Sequence, residues 1–383
     1  MPRDYDIAVV GAGLVGLATA RALLERHPGA RLAVLDKEPE VARHQSGHNS
    51  GVIHAGLYYA AGSLKAELCR EGRAALLRYA EEKGIPHRVC GKLVVAVEES
   101  ELPRLEELRR RGEANGLEGL QELERWDELE PHVRGVRALH VPETGVIDFR
   151  AVARAYADDV RARGGELLLG RRLRAAEEAP ADRVVVCAGL QADRLAPRTD
   201  RAVVPFRGDY FVLAPAAAGL VRALVYPVPD PTFPFLGVHF TRRIDGQVWA
   251  GPNAVLAFRR TGYRRRDVSL RDLAEAIGNP GFRKLARRFW RTGAAEMWRD
   301  WSKAAFVKEM QRFIPDLRGD QVTFGPSGVR AQALGRDGTL VDDFDLAGGD
   351  RVLHVRNAPS PAATSSLAIG ARLATEVIER FAL

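Results

Sequence analysis

YDIAVVGAGLVG, residues 5–16, runs a short apolar, β-branched stretch straight into three glycines spaced G-x-G-x-x-G. The flanks decide how that spacing is read. LATARALLERH, residues 17–27, places apolar residues at helical spacing up to a Pro28-Gly29 stop, and RLAVLDKE, residues 31–38, is a second apolar strand that reaches Asp36. Strand, glycine turn, helix, strand and acid in this register make a βαβ unit that binds a dinucleotide. Gly11 allows the tight turn, Gly13 lets a pyrophosphate approach the backbone, and Gly16 brings helix against strand. The phosphates then meet the free N–H groups and the positive end of the helix. Asp36 is placed to hydrogen-bond ribose hydroxyls and to disfavour a 2′-phosphate. The unit by itself does not separate a nicotinamide from a flavin dinucleotide.

The chain of 383 residues is longer than the ~250–300 at which one core stops growing, so two domains are expected. With 46% hydrophobic and 28% charged residues it is not a disordered chain. The net charge of +7 comes with no basic cluster interleaved with aromatics in a recognised nucleic-acid module and no zinc-finger spacing, so no nucleic-acid partner is expected. Cys69, Cys90 and Cys187 form no CxxC pair, which fits buried thiols in a reducing compartment. The first strand follows the N-terminus at once, leaving no room for a targeting peptide, and no apolar run reaches the ~18–20 residues of a spanning helix. The expectation is a cytoplasmic protein whose membrane contact, if it has any, is peripheral.

Further along, residues 63–83 read as a helix with Ser63 as its N-cap, 89–99 as a strand and 101–115 as a charged helix. Residues 149–169 return to helix then strand, and 182–190 form an apolar strand ending in Ala-Gly. Segments 201–214, 222–228, 235–241 and 246–251 are strand-like between Pro and Gly turns, which predicts an antiparallel sheet. A helical region at 269–313, the stretch GPSGVRAQ, a strand at 351–357 and a helix at 364–381 complete the chain. The fold class expected is α/β: a Rossmann-like nucleotide domain built from discontinuous segments, plus a smaller substrate domain with an antiparallel sheet.

HQSGHNSGVIHAGLYY, residues 44–59, is dense in small and polar residues. His44, His48 and His54 raise a metal site, but Gly47 and Gly51 oppose the helix that would align them, and no acid completes a ligand set; no metal is expected. The preferred reading is a segment passing beneath a cofactor, with Asn49 and Ser50 donating hydrogen bonds and His54 reaching the reactive ring. Residues 283–313 are basic and hold Trp290, Trp298 and Trp301. They read either as a helix packed on a domain interface with a charged outer face or as a patch for an anionic lipid surface.

GAGLVG with Asp36, HQSGHNSGVIHAGLYY followed by SLKAELC, VCGKLVVAVE, VPFRGDYF, YPVPDPTFPFLGVHFT, GPNAVLAF, GVRAQALGRDGTLVDDF and HVRNAPSPAATSS together closely resemble the FAD-dependent L-2-hydroxyglutarate dehydrogenases and oxidases. These lie within the wider D-amino-acid oxidase and sarcosine oxidase class, and the resemblance spans essentially the whole chain. It implies FAD and oxidation of L-2-hydroxyglutarate, a 2-hydroxy dicarboxylate, to 2-oxoglutarate, with electrons passed to a quinone or to oxygen. An amino-acid oxidase of the glycine or sarcosine type and a non-catalytic flavin-binding protein remain the alternatives. One departure is visible: only GRRLRAAEEAPAD, residues 170–182, stands where relatives carry a longer meander, which puts the adenine-side contacts in doubt.

The implied division is an FAD-binding domain from residues 1–84, 145–200 and 325–383, and a substrate-binding domain from 85–144 and 201–324. The implied cofactor contacts are Gly11, Ala12, Gly13, Gly16, Asp36, Lys37, Ser46, Asn49, Ser50, Val52, Ala188, Gly189, Asn357, Ser360 and Pro361. The terminal helix would aim its N-terminus at the flavin N1–C2=O edge. Cys187 reads as a buried thiol rather than a flavin tether. Arg330 matches the arginine that grips a substrate carboxylate, since a guanidinium offers a bidentate fork. Arg207, Tyr226 and Arg242 are candidates for the distal carboxylate, and His54 and His239 for the base that takes the hydroxyl proton.

Overall fold

Tyr5–Val10 is the axis of a six-stranded sheet in which it pairs in parallel with Ala181–Val186 on one side and Leu32–Leu35 on the other. Val352–Asn357 and Glu166–Leu168 extend the sheet in parallel, and Asp345–Gly348 closes one edge antiparallel. These strands read as continuous apolar runs because both faces are covered. The helices Leu14–Arg26, Phe149–Ala162 and Ser366–Phe381 pack on one face through Leu17, Leu23, Val152, Tyr156, Leu373 and Val377. The computed structural model describes residues 3–196, 201–230 and 236–383.

The second sheet has nine strands and is antiparallel apart from the pairing of Leu224–Pro227 with Lys92–Ala96. From that pair the sheet runs through Arg137–Val141 to Gln121–Leu123 on one side. On the other it runs through His239–Arg242 and Val248–Gly251 to the long strand Arg201–Leu213. A small three-stranded sheet of Val52–Ile53, Gly145–Ile147 and His87–Val89 lies where the chain crosses between the two larger ones. The α/β class and the antiparallel second sheet agree with the sequence reading.

Three elements differ from expectation. GPSGVRAQ is part of a strand, Val322–Gly335, that pairs antiparallel with nearly the whole of Arg201–Leu213. Its Gly and Pro reside at a register shift opposite Asp209 and Phe211, where a bulge tolerates a residue without an N–H. The boundary expected at residue 325 falls inside this strand, so residues 325–335 lie in the large sheet. The helical region 269–313 is four short helices, Leu270–Gly278, Pro280–Arg288, Trp290–Trp301 and Lys303–Met310. Ser269, Asn279 and Ser302 cap three of them with their side chains, restarting the helix each time. The strand expected at 235–241 begins at His239, and residues 231–235 of the preceding block lie outside the described residues.

Candidate active site

The first strand ends in a turn that only glycine permits. Gly11 has φ +118°, and a Cβ there would sit 2.3 Å from the Cys187 carbonyl oxygen; a Cβ on Gly16 would sit 2.0 Å from the Gly11 oxygen. The Leu14–Arg26 helix can therefore start directly over the strand ends, with its first N–H groups on a cavity wall. Ser46 Oγ accepts the Leu14 N–H at 2.9 Å, so a residue from the histidine-rich stretch supplies the cap that Gly13 lacks. Asp36 accepts from the Ala12 N–H at 2.7 Å and the Glu38 N–H at 2.9 Å, which fixes its carboxylate beside the turn.

This cavity, about 960 Å³, is lined from both large sheets. Gly11, Gly13, Gly16, Asp36, Lys37, Ser46, Asn49, Ser50, Val52, Ala188, Gly189, Asn357, Ser360 and Pro361 lie on its wall together with His54, His239, Tyr226 and Arg330. Ala12 lies behind the wall, fully buried; its N–H goes to Asp36 and its carbonyl takes the Ala42 N–H. Asn49 does not direct its donors into the cavity: its amide N–H groups go to the Gln45 and Ser46 carbonyls, and its oxygen takes the Gly51 N–H. Asn357 likewise donates to the Val341 and Asp343 carbonyls. Both amides brace loops that present other groups. The shortened segment does reach the cavity, through Arg171, Arg172, Leu173 and Arg174.

Arg207 is not on the wall. It is 3% exposed and bonded to Asp209 at 3.0 Å and Asp300 at 3.0 Å, so its fork is already filled by carboxylates. Arg242 donates to the Ala218 and Val221 carbonyls and also faces away. The three histidines of the opening stretch part company. His44 joins Glu38, Lys37 and Tyr263, His48 stacks on Tyr263 at 3.9 Å, and His54 faces His239 and Lys92. Among the described residues no three His, Cys, Asp or Glu side chains are grouped to hold a metal ion.

His54 and His239 lie on the wall of the same cavity. Burial, then the Lys92 charge, then His239 hold His54 down at about 3. Burial also takes His239 to about 3, against a hydrogen-bonding contact to the Gly237 carbonyl at 2.9 Å that favours the charged ring. Both rings are neutral at working pH, the state in which a histidine accepts a proton. Tyr226 stacks on His239 with centroids 4.0 Å apart. Arg330 lies among Tyr210 and Glu296, which favour its charge while burial opposes it. Cys187 is on the wall, and burial pushes its thiol up to about 12, so it remains an unreactive S–H.

Sequence reasoning missed four residues of this region. Tyr210 and Gln45 line the cavity, and Gln45 Oε1 takes the Ala331 N–H next to Arg330. Arg243, stacked on Trp249 at 3.9 Å, donates to the Asn49 and Ser50 carbonyls and ties the histidine-rich stretch to the large sheet. Lys92 lies behind the histidines. The signal for Lys92 was present: in KLVVA it occupies the same strand face as Val94 and Ala96.

The residues fit a flavin dinucleotide: two glycines whose Cβ positions are already filled, a helix N-terminus for a pyrophosphate, an acid for a ribose, and a continuous cavity leading to neutral histidines and an arginine. Fold and site thus define an oxidoreductase of the dinucleotide-binding class with a separate substrate sheet. The FAD dependent oxidoreductase family model, DAO, matches residues 6–376, and the chain belongs to that family. It is 49% identical to the mitochondrial L-2-hydroxyglutarate dehydrogenase of Nematostella vectensis over 417 residues, covering 99% of this chain and 91% of that protein. The mitochondrial human enzyme of the same name is 48% identical over 99% of this chain and 90% of its own length. The L-2-hydroxyglutarate dehydrogenase of Indibacter alkaliphilus is 44% identical over 99% of this chain and all of its own, 100%. Among solved structures, FAD-bound L-alpha-glycerophosphate oxidase from Mycoplasma pneumoniae superposes with a TM-score of 0.77 at 21% identity, covering 99% of this chain and 95% of that one. Glycine oxidase from Geobacillus kaustophilus gives 0.69 at 20% identity, covering 98% and 95%. These two share the fold.

Proposed function

We propose that the protein oxidises L-2-hydroxyglutarate to 2-oxoglutarate. The observation that carries this reading is the single cavity that joins the FAD cradle to Arg330, His54 and His239. Relatives named for this substrate, at 44% to 49% identity over almost the full chain, support it. Bound FAD supplies the acceptor, at flavin N5, for the hydride leaving C2. Arg330 grips one carboxylate through its fork and so fixes which face of C2 is presented. A ring nitrogen of His54 takes the hydroxyl proton as the C2–H bond breaks, which leaves the ketone. His239, braced by Tyr226 and the Gly237 carbonyl, hydrogen-bonds the substrate oxygen. Residues 3–84, 145–196 and 336–383 form the FAD-binding part in this reading.

We further infer that the electrons leave to a membrane quinone, with the Trp290–Trp301 helix as the docking face. Trp290, Trp298 and Trp301 are 62%, 66% and 66% exposed on one side of that helix. No helix among the described residues is long and apolar enough to cross a membrane, so the contact is peripheral.

The test is anaerobic. L-2-Hydroxyglutarate should bleach the ~450 nm flavin band of the purified protein, and its D-enantiomer and sarcosine should not. Bleaching by sarcosine or glycine instead would move the protein to amine oxidation, and a yellow protein that no substrate bleaches would be a flavin-binding protein without this catalysis.

A further inference from the structure

Lys92 opens the strand Lys92–Ala96 on the face where Val94 and Ala96 pack against Ala55, Leu57 and Tyr226. It is 2% exposed, and no carboxylate among the described residues forms an ion pair with it. Two tyrosine rings box it instead. Nζ lies 4.4 Å from the Tyr58 ring centre, 5.0 Å from that of Tyr226 and 3.4 Å from Tyr58 Oη. Burial takes the ammonium down to about 7, opposed only by the Cys69 thiol.

The groups facing Lys92 come from every element packed on it. Tyr58 belongs to the loop before the Leu64–Glu82 helix, Cys69 to that helix, Tyr226 to Leu224–Pro227, and Val141 opposes it in register on Arg137–Val141. His54 and His239 feel its charge, and Arg330 adds to the field at His239. None of these groups is an anion at neutral pH. Lys92 itself does not line the cavity; the Tyr226 ring, which does, lies against it.

A buried cation without a counter-ion destabilises a fold, and a methionine would fill the same slot without charge. The position therefore keeps a costly charge directly behind the substrate end. A charge-free chain would be the more stable one.

We propose that Lys92 is a positioning residue whose charge, set behind His239 by the Tyr226 ring, acts on the histidine pair and adds to Arg330 the second positive charge that a dicarboxylate substrate requires. The second half rests on the dicarboxylate reading above; the first half does not. As a dianion enters, Lys92 takes up and holds a proton, while the histidines stay free to accept one.

The test compares FAD-loaded wild type with Lys92→Met and Lys92→Arg. In Lys92→Met the flavin spectrum stays, Tm holds or rises, and the KM for L-2-hydroxyglutarate rises about tenfold or more. The acid limb of kcat/KM moves to higher pH, because a histidine without a cationic neighbour protonates more readily. Lys92→Arg restores the acid limb. Side-chain nitrogen NMR of the histidines, recorded without substrate, should show the His54 ring titrating about one unit or more higher in Lys92→Met. Wild type that L-2-hydroxyglutarate fails to bleach sinks the substrate reading, and the NMR comparison still decides the charge-setting role. An unmoved histidine titration with an unmoved pH profile overturns the proposal. So does loss of flavin with a lowered Tm in both variants, since Lys92 would then serve folding alone.

Discussion

Arg330 and Arg207 occupy neighbouring positions on paired strands and meet opposite fates. Arg330 pairs in register with Phe206, so it shares a face with Phe206, Gly208 and Tyr210, whereas Arg207 and Asp209 point the other way. The pleat alone sends one guanidinium to the cavity and the other to a pair of carboxylates. That alternation was legible in FRGDY, where Arg-x-Asp puts opposite charges on one face; the buried Asp300 that completes the pair, from a helix ninety residues on, was not. His54 was legible because its block carries the family pattern, but its electrostatics were not, since Lys92 and His239 reach it from two other strands. With His54 held at about 3, kcat/KM should show no loss between about pH 6.5 and about 5, whereas a histidine at its ordinary value would lose activity below about 6.5. His54→Gln should lower turnover by ~10²–10⁴ with flavin still bound. A pH-rate profile and the visible spectrum check both, and a near-normal turnover number would assign the proton to His239.

The helices of the FAD side show what periodicity reveals and what it leaves out. Leu14–Arg26, Leu64–Glu82 and Phe149–Ala162 were legible from apolar spacing and, for the second, from the cap Ser63. Their mutual fastening was not. Asp159 on the third takes hydrogen bonds from Arg21 on the first at 3.0 Å, from Tyr79 on the second at 2.9 Å and from Lys83 at its end at 2.7 Å. Burial would raise its carboxyl, but these donors win and hold it below the ordinary value. A depressed carboxylate stabilises the fold above its unfolded value near 3.9, and the contribution disappears as pH falls through the folded value. Asp159→Asn should therefore cost about 3 kcal/mol at pH 7 and progressively less as pH falls below about 3.9, as denaturant titrations at pH 7 and at acid pH would show. An equal loss at both would mean that the effect is steric. The strand Val322–Gly335 was the element least legible, because its Gly-Pro-Ser-Gly signals a turn locally and only a thirteen-residue partner strand overrides that signal.

At the scale of the whole molecule, the interleaving of two sheets was legible from the return of strand and helix patterns late in the chain, but the side of the substrate sheet left facing outward was not. The four short helices decide that. Trp290 and Trp298 are two helical turns apart and Trp301 follows at i+3, so all three indoles project from one side of Trp290–Trp301. The acids of the same helix, Glu296 and Asp300, turn inward, to the Ala254 N–H and to Arg207 and Asn253. What remains outside on Pro280–Arg288 and the start of the next helix is Arg283, Lys284, Arg287, Arg288 and Arg291, all exposed, with no acid among them. Indoles with a cationic rim match an anionic bilayer surface, each basic side chain contributing about 1 kcal/mol there. A protein partner with an acidic face would use the same charges but has no need of three exposed indoles. The flavoprotein should therefore pellet with phosphatidylglycerol vesicles and not with phosphatidylcholine vesicles, and high salt should weaken the association without abolishing it. Replacing Trp290, Trp298 and Trp301 with Ser should release it while anaerobic reduction by substrate proceeds unchanged, because the inner face of the helix keeps its carboxylates. Wild type that stays in the supernatant with anionic vesicles at low salt would remove the bilayer from the electron path and leave oxygen or a diffusible acceptor as the outlet.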